Sequence, residues 1–77
     1  MGERDLTSAD IGTPCTYVDP HGNSHNALIT NVFGNKCCNV AYTATEPLEK
    51  DDYGQKIKRS SSVMRRDVQQ AHGNYWY

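Results

Sequence analysis

The chain has 77 residues, enough for one domain, with 8 Lys+Arg against 9 Asp+Glu and a formal net charge of −1. That balance argues against a general nucleic-acid binder held by a basic face, and no apolar run approaches the roughly 20 residues of a membrane-spanning helix. An apolar fraction of 36% predicts a thin core, which oligomerisation, a metal or a disulfide would each help. No secretory leader pattern is present, so a cytoplasmic location and reduced thiols at Cys15, Cys37 and Cys38 are expected.

Residues 1–11 (MGERDLTSADI) read as a flexible lead-in in which LTSAD caps at most a short helical turn. Strand signals follow. TPCTYVD (13–19) alternates and carries β-branched and aromatic residues, and PHGNSH (20–25) reads as a turn. NALITNVF (26–33) carries the strongest strand pattern in the chain, GNK (34–36) is a tight connection, and CCNVAYT (37–43) puts Cys38, Val40 and Tyr42 on one face. Adjacent strand residues point to opposite faces, so Cys37 and Cys38 are not expected to bond to each other, though either could pair with Cys15. Together the three runs predict an antiparallel meander.

ATEPLEKDDYGQ (44–55) predicts a long acidic loop anchored chiefly by Leu48 and Tyr53, with Asp52 and Gly54 in a tight turn that holds Tyr53 outward. KIKRSSSVMRRDV (56–68) alternates at its start. Its serines predict a kink or a helical turn, and SVMRRDV a possible fifth strand. Four or five short strands around one long loop predict a small all-β SH3-like barrel over 12–72, with 73–77 as an aromatic C-terminal tail.

The frame Y-V-D-x-x-G … A-L-I-T-x-V, then N-V-A-Y, D-x-Y-G … R-S-S-S-V and H-G-N-Y-W resembles a group of small uncharacterised proteins of tailed bacteriophages, over roughly residues 12–76. The resemblance implies a viral accessory or structural protein expressed inside a bacterium, and it assigns no functional residues.

Chemistry-bearing residues are few. His21 and His25 form H-x-x-x-H, but Pro20 and Gly22 place them in a turn, where the helical argument for a shared metal fails, and His72 joins them only by the accident of folding. Ser60, Ser61 and Ser62 have hydroxyls, yet no spacing links them to Asp51, Asp52 or a histidine as a base, so no enzyme is expected. No P-loop or other cofactor motif occurs. KIKRSSSVMRR gathers Lys56, Lys58, Arg59, Arg65 and Arg66 around three hydroxyls, a pattern suited to phosphate oxygens. Alternation along a strand would instead divide these charges between two faces, some of them pairing with the acidic loop. Tyr17 and Tyr42 fit either base stacking or the core, whereas Tyr53 is expected to be exposed. The candidate ligand site is therefore Tyr53, Lys58, Arg59, Ser61, Arg65 and Arg66.

Tyr75, Trp76 and Tyr77 end the chain in its densest aromatic cluster. Three placements are open: closing the chain's own barrel, docking on a neighbouring subunit of a homo-oligomer, or binding a different protein. The functional expectation is a non-enzymatic phage accessory protein that sequesters a host ligand, either a nucleotide-type signal or a host protein, in the bacterial cytoplasm. Its alternatives are a virion structural or assembly component and a small nucleic-acid-binding regulator.

Overall fold

The computed structural model describes residues 5–68 and 73–77. His72 lies outside them. Five strands close a small all-β, SH3-like barrel: β1 (Pro14–Val18), β2 (Ser24–Phe33), β3 (Cys37–Thr43), β6 (Ile57–Arg65) and β7 (Tyr75–Trp76). Two further short strands, β4 (Lys50–Asp51) and β5 (Gly54–Gln55), form a separate hairpin on the loop between β3 and β6.

The meander β1–β2–β3 is antiparallel, and β6 adds antiparallel to β3. β2 begins at Ser24, so the turn before it is shorter than the 20–25 expected and His25 belongs to a strand. Asp19 makes that tight turn: its Oδ1 accepts the backbone N–H groups of His21 and Asn23 at 2.9 and 3.0 Å.

The serine run forms no helical turn; its kink is a β-bulge that leaves β6 continuous. Cys38 pairs with Val63 and Val40 with Ser60, so Asn39 alone faces both Ser61 and Ser62 in a β-bulge. Ser62 sits at φ 54, and its N–H donates to Asn39 Oδ1 at 2.9 Å. The extra residue resets the alternation and turns Val63 and Arg65 inward.

The tail closes the barrel of its own chain. β7 runs antiparallel to β1 and parallel to β6, and Thr16 and Tyr77 exchange both backbone hydrogen bonds. Trp76 is 0% exposed and packs with Tyr17, Ile29, Cys38, Val40 and Val63, while its Nε1–H donates to the Lys36 carbonyl at 3.0 Å. None of the three cysteines is in a disulfide, and Cys38 is a core residue.

Residues 5–11 correct the reading of a flexible lead-in. Leu6 is buried in the core and its N–H donates to the Asn35 carbonyl at 2.8 Å. Thr7 and Asp10 form a capping box around a single 3-10 turn, Ser8–Asp10. The Gly12 N–H then bonds the Ile29 carbonyl at 2.7 Å, which fastens this segment to β2.

Trp76→Ala should cost about 3–5 kcal/mol, a large share of the roughly 4–12 kcal/mol expected of a domain this size, and chemical denaturation will measure it. Gly73 lies at φ +69 and a Cβ there would collide with the Asp19 carbonyl oxygen, so Gly73→Ala should lower the melting temperature by several degrees. An unchanged melting curve for either variant would contradict this account of barrel closure.

Candidate functional site

Alternation along β2 puts His25 on the same inward face as Ala27 and Ile29. The imidazole is buried in a three-ring cluster with Tyr42 (4.7 Å between centroids) and Tyr17 (5.9 Å). The two tyrosines are themselves 4.7 Å apart. His25 Nε2 lies 2.8 Å from Asp19 Oδ2. A carboxylate only accepts, so this nitrogen carries a proton and donates. Among the described residues Nδ1 has no hydrogen-bond partner.

Burial pushes the Asp19 carboxyl up, but the hydrogen bonds from His25 and from the N–H groups of Asn23 and His21 outweigh it and hold it below its ordinary value of 3.8. Burial raises the Tyr42 phenol, and the neighbouring Tyr17 adds to that shift. Tyr17 is anchored from the tail side, donating its hydroxyl to Asn74 Oδ1 at 2.9 Å.

Asp19, His25 and Tyr42 open onto a cavity of about 160 Å³, whose far wall is the start of the acidic loop. Asp19, Glu46 and Glu49 contribute carboxylates to its lining, and Lys58 contributes an ammonium. Lys58 Nζ sits 3.3 Å from Glu49 Oε2 and donates to Oε1 at 3.5 Å, and this pairing raises the lysine above its ordinary value. Gln55 holds the wall in place by donating its Nε2 to the carbonyls of Ala44 (2.9 Å) and Glu46 (3.1 Å).

Of the six residues expected from sequence, only Lys58 lines this cavity. Arg65 is a correction. It is buried, its Nε and Nη2 donate to the two Asp67 carboxylate oxygens at 2.7 and 2.8 Å, and its Nη1 donates to Asp5 at 2.7 Å. That network ties residue 5 to the end of β6 and leaves the guanidinium occupied. Arg66 covers the Tyr77 ring at 4.2 Å. Ser61 is exposed in the bulge. Arg59 pairs with Ala41 on the outer face, one position out of phase with Lys58, so strand alternation does split the basic cluster. Tyr53 is 99% exposed at the tip of the β4–β5 hairpin, far from acting as a burial anchor, as is Leu48 at 96%.

Asp19, His25, Glu46 and Glu49 were not singled out by sequence as one site. A polar residue in the inward phase of HNALI was the available signal for His25. Among the described residues no group of three or more His, Cys, Asp or Glu side chains converges as metal ligands would. No helix among them is long and apolar enough to cross a membrane. No family model matches the chain, and neither a curated protein nor a solved structure matches it.

A carboxylate held below its ordinary value stabilises the fold above that value and loses its contribution as pH falls through the lowered folded value. Asp19→Asn should therefore melt below the native protein at neutral pH, with the gap closing as pH drops below 3.8. Melting curves across the acid range check this, and a gap independent of pH would contradict it.

Proposed function

We propose that the chain is a non-enzymatic binding module that captures a protein partner by taking one of its Lys or Arg side chains into the cavity beside Tyr42 and His25. The observation that carries this reading is the lining: three carboxylates, the Tyr42 ring and an ammonium already paired to Glu49. A cation gains from carboxylates and from ring faces together. Size agrees with charge, since about 160 Å³ suits a side chain and falls below the roughly 300–1,000 Å³ of drug-sized ligand sites. A nucleotide-type ligand is disfavoured on both counts.

The His25–Asp19 pair resembles two members of a hydrolytic triad, but among the described residues no hydroxyl or thiol is hydrogen-bonded to the imidazole. It serves instead to fix the floor of the cavity. The resemblance to phage proteins supports a host protein as the partner and sequestration in the bacterial cytoplasm as the role.

Titration with a short lysine- and arginine-bearing peptide, followed by amide and side-chain NMR shifts, tests the reading. Shifts should centre on His25, Tyr42 and Glu46 and weaken with added salt. Removing the competing ammonium by Lys58→Met should tighten the peptide several-fold, whereas it would weaken an anionic ligand. Perturbation by inorganic phosphate or ATP in place of the peptide, or weaker peptide binding to Lys58→Met, would overturn the proposal.

A further inference from the structure

The outer face of the meander carries a second, chemically different feature. Strand pairing aligns Pro14, Leu28 and Ala41 in one row across β1, β2 and β3, with Arg59 of β6 at its end. Thr43 and Ile57 form the next pair along. A shallow apolar groove of about 250 Å³ runs over these residues, and Leu28 and Ile57 remain 51% and 64% exposed. No carboxylate lines it, and the guanidinium at its end is in no ion pair among the described residues.

The β4–β5 arm is its complement. Its apolar side chains, Leu48 and Tyr53, are almost wholly in water, although ordinary folding buries such groups. Asp51 Oδ1 accepts the Tyr53 N–H at 2.8 Å, which fixes the turn that presents the ring, and Asp52 stands beside it. The arm thus offers an aromatic ring rimmed by acid, and the groove offers an apolar trough ended by a base.

We propose that the groove is filled by the β4–β5 arm of a second copy of this chain, with Tyr53 over Leu28 and Ile57 and Asp52 toward Arg59. Thr43 and Ile57 belong to the groove and also flank the arm in sequence, so groove and arm are neighbours on one molecule. A two-fold axis between them lets each copy insert its arm into the other, closing a dimer with two equal contacts. One arm alone is small against the roughly 1,000 Å² of a specific interface, and reciprocal insertion doubles what is buried. This interface is separate from the tail, which the barrel consumes, and uses none of the carboxylates of the cavity.

Sedimentation velocity on the full chain over a dilution series tests the proposal. The native protein should form a concentration-dependent dimer. Tyr53→Glu and Ile57→Glu should each weaken it roughly tenfold or more while leaving the circular dichroism melting curve unchanged at dilutions where the native protein is monomeric, because both side chains are exposed. Arg59→Asp and Asp52→Arg should each weaken the dimer, and the two together should restore it. A protein that stays monomeric up to millimolar concentration would overturn the proposal, the groove then being free for an unrelated partner. A dimer indifferent to both Glu variants, or a double charge exchange no better than the singles, would also overturn it.

Discussion

Burial of Trp76 is the constraint on which the rest of the molecule depends. A chain of 77 residues with few large apolar side chains has little core to spare, and its one tryptophan sits at the second-to-last position. Two residues of β7 bring the indole to the centre, bridge β1 to β6 and satisfy the indole N–H on the Lys36 carbonyl. Without that strand, β1 and β6 would both be open edges, and Tyr17, Val40 and Val63 would lose the ring they pack against.

Closure also positions the cavity. Gly73 at φ +69 and Asn74 at φ 59 turn the chain into β7 beside the Asp19 carbonyl, and Asn74 then receives the Tyr17 hydroxyl. Tyr17 backs Tyr42 and His25, so the aromatic floor is supported from the tail. Asp19 has two tasks in the same place: one carboxylate oxygen shapes the β1–β2 turn and the other holds the imidazole. Fold and site are therefore coupled through a few hydrogen bonds. The outer groove lies on the other face of the sheet and is free to serve a different contact.

Much of the barrel was legible because its strands follow local rules. Alternation placed the 13–19, 26–33 and 37–43 runs close to β1, β2 and β3, and put Cys38, Val40 and Tyr42 on the core side. What escaped depended on partners distant in sequence. The continuity of β6 through three serines rests on Asn39, which accepts the Ser62 N–H across the bulge. Arg65 counted as a surface charge until the bulge turned it inward onto Asp67 and Asp5. The site was hidden for the same reason: Asp19, Tyr42, Glu49 and Lys58 come from four separate stretches, and no spacing along the chain links them. Residues 1–11 read as a lead-in because Leu6 is the one residue of 5–11 in the core cluster, and one buried leucine leaves no periodic pattern.

Native-state hydrogen exchange measures most directly whether the tail is a structural strand or a frayed end. If closure by β7 holds the barrel together, the amides of Thr16 and Tyr77 and the indole N–H of Trp76 should exchange only through global unfolding, with the same opening free energy as core amides of β2 and β3. Exchange of these three protons at a much smaller opening free energy, while the amides of Ile29 and Val40 stay protected, would contradict the account.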